Sequence, residues 1–318
     1  MARSVDRRPQ VQRQLPLHGE ALIGPEAVLA AERLVRDVAL LGLWGGSAFL
    51  AALVPRDLSM RIAAGLGPAR RAAIAVVLAA TALALPCQTA MIGDGWRDAL
   101  SGSMLGAVLF ETSVGAAWAA EAAAVLLLVA TLALPSRLAP AGTAAASALA
   151  LAALTLTGHA QMHEGWLGAL HKANEALHLL SAGAWLGALV PLLLILRRLG
   201  DPACRGDAVV ALRRFSEAGH AAVALIFLTG LLNSWLILGG LPLDRAAPYQ
   251  VLLSVKIVLV VAMALLAILN RYAIVPRLRQ DPERSLQTIR TITLAEIGLG
   301  TAAITLVAVF GLMEPMPS

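Results

Sequence analysis

"YQVLLSVKIVLVVAMALLAILNRY", residues 249–272, decides the fold. Between Val251 and Leu269 only Ser254 and Lys256 are polar. A run of about 20 apolar residues, coiled as a helix, crosses the roughly 30 Å hydrocarbon core of a bilayer. The apolar residues are continuous and do not alternate, so the segment reads as a transmembrane helix and not as a barrel strand.

The rest of the chain has the same character. Of 318 residues, 58% are hydrophobic and 14% charged, and the mean hydropathy is +0.76, well above that of a soluble domain. Abundant Ala, Leu, Val and Gly with few Phe and Tyr suit helices packed closely in lipid. The expected fold is an all-α polytopic membrane bundle. Eight spans are predicted, at roughly 37–54, 72–92, 114–134, 140–159, 174–196, 217–239, 250–270 and 291–312. Residues 1–35 form a tail whose last part, 20–35, reads as an interfacial helix, and residues 36–318 form the transmembrane domain.

A net charge of +5 would suggest nucleic acid in a soluble protein, but here the arginines mark topology and no nucleic-acid partner is expected. The loops 55–71, 135–139, 197–214 and 271–290 hold 15 Lys and Arg, against Arg97, Lys172 and Arg245 in the opposite connections. The first set is therefore cytoplasmic and both termini are periplasmic. Arg3, Arg7, Arg8, Arg13, Arg33 and Arg36 near the amino terminus oppose this assignment, with five acidic residues among them. Cys87 and Cys204 fall on opposite sides, so no disulfide joins them.

Four of the six histidines lie in "GHAQMHEGWLGALHKANEALHLL", residues 158–180, at the outward ends of the fourth and fifth spans. Met91, Met104, Met162, Met313 and Met316 share that side, and Cys87 sits one turn before Met91. Thioether and thiol ligands select copper(I), and imidazole suits both copper states, so this set fits copper capture. The candidate ligands are His159, His163, His178, Met91, Met162, Cys87, Met313 and Met316. His159 and His163 have the i,i+4 spacing of a chelating pair, although Gly158 and Gly165 are helix-end signals. His171, beside Lys172, reads as a solvated loop residue.

Glu121, His220, Asn233, Lys256 and Glu296 lie inside spans, where each charge costs about 2.5–3.5 kcal/mol. Two readings stand. Glu121 and Glu296 pair with arginines such as Arg36 or Arg271, or Glu121, His220, Lys256 and Glu296 form a polar path. Gly183 and Gly187 make a GxxxG that permits a close helix crossing. There is no phosphate loop and no HExxH, so no enzyme is expected and transport is not driven by ATP.

"GHA" closing the fourth span, "LHLLSAGAWLGALVPLL", "RRFSEAG" with "LTGLLNSW", and the stretch quoted first together resemble the copper resistance protein D (CopD) family. The resemblance covers about residues 36–313 and is strongest from 158 to 272. It implies an eight-helix bacterial inner-membrane protein of copper homeostasis that moves copper from periplasm toward cytoplasm. It also implies a separate periplasmic CopC-like copper-binding partner, and carries the family's histidine positions to His159 and His178 and its polar positions to Lys256 and Glu296. Two alternatives remain open: a redox protein holding haem between histidines of neighbouring helices, and a copper-binding sensor or assembly protein that transports nothing.

Overall fold

The structure, a computed structural model, describes residues 24–242 and 244–315. The tail 1–23 and Met316 lie outside them. Among the described residues the secondary structure is helical throughout, with no strand.

The chain runs through α1 (Pro25–Ala52), α2 (Arg56–Ile92), α3 (Trp96–Ala99), α4 (Gly102–Glu111), α5 (Ser113–Ala130) and α6 (Ala139–Leu154). It continues through α7 (Gly165–Leu186), α8 (Leu189–Arg198), α9 (Arg205–Leu238), α10 (Pro248–Leu269) and α11 (Pro282–Phe310). Prolines open α1, α10 and α11, where a missing N–H costs nothing. Asp281 caps α11 by accepting from the Arg284 N–H at 3.2 Å. Gly239, with φ of +68°, closes α9 in the left-handed conformation.

Among the described residues, seven helical segments are long and apolar enough to cross a membrane. The predicted span 140–159 is the shorter α6, of 16 residues and about 24 Å, which returns the chain to the end of the bundle where α1 begins. Three further expectations change. The interfacial helix is no separate element, because α1 runs unbroken from Pro25 into the first span. The loop 55–71 is the first part of α2, and α9 takes in the end of the loop 197–214. At 37 residues α2 is about 55 Å long, so its arginine-bearing turns can stand clear of the lipid. Finally α7 begins at Gly165, nine residues before the predicted span, which puts His171 and Lys172 on a helix.

Glycines allow a close helix contact in the bundle. Gly45 and Gly46 of α1 lie against Gly183 of α7 and Gly187 at its C-cap, and a Cβ on Gly45 would collide with the Gly183 carbonyl. This is the close crossing expected of the GxxxG. Beside it, Trp44 Nε1 donates to the Leu180 carbonyl at 2.8 Å. One buried cluster, with Leu40, Ile74, Val125, Leu128 and Leu151, joins α1, α2, α5 and α6. A second, with Phe49, Leu58, Trp185, Leu189 and Ile195, joins α1 and α2 to α7 and α8. On the outside, Leu228, Leu231, Val258 and Leu265 are exposed apolar side chains on α9 and α10, as lipid contact requires. Cys87 and Cys204 are both free and buried.

Candidate functional site

The bundle holds a cavity at each end. The first, about 370 Å³, opens where α1 and α7 begin and α6, α9 and α11 end; this is the histidine end. Its walls carry His159, His171, Glu175, His178, Asn233 and Lys256 on one side and Arg33, Arg36, Asp37 and Glu121 on the other. The second, about 510 Å³, lies at the opposite end and includes His220, Glu296, Arg213 and Arg271. The cavities share no lining residue. Ile226 and Val260 bound the first; Val223 and Ala264, about one turn along the same helices, bound the second.

α7 brings three ionisable side chains to the first cavity because His171, Glu175 and His178 are spaced i, i+4, i+7 and share a face. His178 Nδ1 lies 2.9 Å from Thr229 Oγ1. The Thr229 hydroxyl spends its proton on the Leu225 carbonyl at 2.5 Å, so it accepts from His178. That fixes the Nδ1–H tautomer and leaves Nε2 as a lone pair for a ligand. One turn earlier, Asn174 Nδ2 donates to the Thr229 carbonyl at 3.0 Å and to Asn233 Oδ1 at 2.6 Å. Asn233 Nδ2 then donates to Glu175 Oε2 at 2.5 Å. Glu175 in turn interacts electrostatically with Lys256. Thus α7, α9 and α10 are tied by one polar network that holds His178 rigid.

His159 stands on the turn after α6, where Gly158 adopts a φ of +73°. Its ring packs edge-on against Tyr249, with centroids 5.4 Å apart. Its Nε2 is buried and has no hydrogen-bond partner. Burial lowers the His159 pKa below the ordinary imidazole value and the nearby Arg33 guanidinium lowers it further, so the ring is a neutral ligand at physiological pH.

Across the cavity, Arg36 Nη1 donates to Glu121 Oε1 and Oε2 at 3.4 and 3.5 Å. Arg36 also lies 3.2 Å from both Glu32 and Asp37. Thr81 Oγ1 donates to Glu121 Oε1 at 2.8 Å. Glu121 is therefore ion-paired as the first of the two readings had it, while still facing the cavity. Glu296 is different: it is 3% exposed and its Oε1 has no partner. His220 is held at the opposite end by the Ser216 carbonyl (2.6 Å) and the Tyr272 hydroxyl (3.1 Å).

The candidate ligands do not all meet. His159 and His178 line one cavity. His163 is not part of the lining; its Nδ1 lies 3.2 Å from Nδ1 of His171, which is. His171, expected in solvent, is 1% exposed because α7 starts early enough to carry it inward. Cys87 and Met91 share a helix, yet Cys87 is wholly buried in packing and Met91 is 40% exposed, and neither lines the cavity. Met162 is exposed beside His163, and Met313 follows α11 away from the cavity lining. Among the described residues no three His, Cys, Asp or Glu side chains converge as a metal cluster.

A polytopic helical membrane protein with an imidazole-lined cavity at one end is thus the class defined by fold and site. Residues 24–169 match the N-terminal domain of copper resistance protein D-like proteins, and residues 209–310 match copper resistance protein D. Among relatives, Inner membrane protein YebZ of Escherichia coli (strain K12) is 32% identical over 246 residues, covering 77% of this chain and 83% of that one. Copper resistance protein D of Pseudomonas syringae pv. tomato is 30% identical over 255 residues, covering 77% and 82%. Copper transport protein CutJ of Bacillus subtilis (strain 168) is 31% identical over 254 residues, covering 77% of this chain but 45% of the longer relative. No solved structure matches the chain. The chain belongs to the copper resistance protein D family, and among its described residues seven helical segments have the length and composition to cross a membrane.

Proposed function

We propose that this protein moves copper ions across the inner membrane, from periplasm toward cytoplasm, through the cavity at the histidine end. The observation that carries the reading is that His159 and His178 line one cavity in a copper-family bundle, with the buried Nε2 of His159 left without a partner. Imidazole binds both copper states without needing a thiolate, and neutral imidazoles release a cation readily to a neighbouring ligand. The loop arginines favour a periplasmic position for this end, with both termini on that side. A separate CopC-like periplasmic carrier hands over copper at the mouth, where Met162 and His163 are accessible. The ion then meets His159 and His178, and Glu175 offsets its charge. His220 and Glu296, in the second cavity, receive it on the other side. The reading contains no bond-making step, so no catalytic residue is assigned.

The test is copper accumulation in cells expressing the wild type or a His159→Ala, His178→Ala double variant, alongside the visible spectrum of the purified proteins. Raised accumulation that the double variant abolishes supports the proposal. Accumulation that the wild type does not raise, with a haem band that the double variant loses, overturns it in favour of a haem-binding redox protein.

A further inference from the structure

Among the described residues, His163 and His171 hydrogen-bond only to each other. The reason lies in the stretch "HEGWLGALH", residues 163–171. Gly165, with φ of +60°, reverses the chain after His163. Gly168 lets the His163 backbone lie on the first turn of α7, since a Cβ there would strike the His163 carbonyl. The loop is thereby folded back so that the His163 ring covers His171, with ring centroids 5.3 Å apart and the two Nδ1 atoms 3.2 Å apart. His171 is 1% exposed and His163 half-buried. His159 lies close enough to interact with His171 electrostatically, and its own buried Nε2 is unpartnered.

We propose that His163 and His171 form a two-coordinate copper(I) site at the mouth of the cavity, the first stop for the cargo. This rests on the copper-transport reading above. Two imidazole nitrogens facing each other, with no third His, Cys, Asp or Glu among the described residues completing a cluster, suit the ion that accepts linear two-fold coordination; zinc requires four ligands and copper(II) a tetragonal set. Metal–imidazole bonds of about 2 Å place opposed nitrogens about 4 Å apart, so the pair opens by less than 1 Å to admit the ion. The movement falls on His163, which stands outside any helix. In the empty pair one ring donates its Nδ1 proton to the other. When copper enters, that ring carries its proton on Nε2 instead, both Nδ1 lone pairs bind the metal, and no proton leaves the protein. His159 offers the next ligand, and His178 lies about 10 Å further along α7. Weak two-fold ligation at the entrance makes each transfer an exchange of one imidazole for another.

The test titrates copper(I) anaerobically into purified wild type, His163→Gln and His171→Gln against a chromophoric copper(I) chelator, and records the copper X-ray absorption edge of the loaded proteins. The wild type is expected to show a two-coordinate edge with nitrogen scatterers, and each variant to lose that feature and bind about tenfold more weakly or worse. His163→Gln alters a half-buried loop residue, so it reports even where His171→Gln perturbs folding. An unchanged edge and affinity in His163→Gln overturns the proposal and leaves the pair as a hydrogen bond only. Because these readouts use purified protein, they stand apart from transport: copper accumulation indifferent to His178→Ala would defeat the transport reading while leaving the binding result in place.

Discussion

Replacing Arg36 with methionine removes one guanidinium from the centre of three carboxylates. Arg36 is 7% exposed, 3.2 Å from Glu32 and from Asp37, and 3.4 Å from Glu121. At that separation each pair is worth about 5 kcal/mol of gross attraction at an effective dielectric of 20, much of it offset by the desolvation of both ions. The net loss on stranding a buried partner is about 3–5 kcal/mol. Glu121 would retain only the Thr81 hydroxyl. The assay is unfolding in mixed micelles as the denaturing detergent fraction rises, for wild type, Arg36→Met, Glu121→Leu and the double variant. The double variant removes the stranded charge along with its partner, so it should be more stable than Arg36→Met alone by about 1–3 kcal/mol. A cost below about 1 kcal/mol for Arg36→Met, or strictly additive losses, would refute the view that this pair anchors α1 to α5.

Thr229→Val removes the acceptor that holds His178 in its Nδ1–H tautomer, and copper affinity measured on the purified protein should fall about 10–100-fold with the fold intact. Gly45→Val drives a side chain into the Gly183 carbonyl and should lower stability by about 1–3 kcal/mol or more, read as a drop in melting temperature in detergent. The His159 pKa is lowered in the fold by burial first and by Arg33 second, so below about pH 6.5 the unfolded chain takes up the proton before the folded one does. Melting temperature should therefore fall as pH drops from that point, and His159→Gln should flatten the slope; equal slopes would show that another group sets it.

The helices were legible where apolar residues run without interruption, as in Val251–Leu269, because continuity over about 20 residues answers directly to bilayer thickness. Their ends were not. α2 and α9 continue as helix beyond the apolar run, where hydropathy carries no signal and polar, Arg-bearing turns resemble loops. His171 was misplaced for the same reason: Lys172 beside it suggests solvent, but adjacent residues on a helix point in different directions. The spacing of His171, Glu175 and His178 on one face was a usable signal for Glu175. Convergence was beyond reach, since the cavity draws on α1, α5, α7, α9 and α10, and only packing reveals that Cys87 is sealed in the core while His159 opens inward. The pairing of Glu121 with Arg36, across 85 positions of chain, was legible as a charge in need of a partner.

The most direct measurement is copper(I) uptake into liposomes containing the purified protein, comparing wild type with His178→Ala at matched, folded protein content. Uptake above protein-free liposomes that falls to background in His178→Ala is the result expected. Uptake at the protein-free level with wild type, or equal uptake by both proteins, would contradict passage of copper through the cavity at the histidine end.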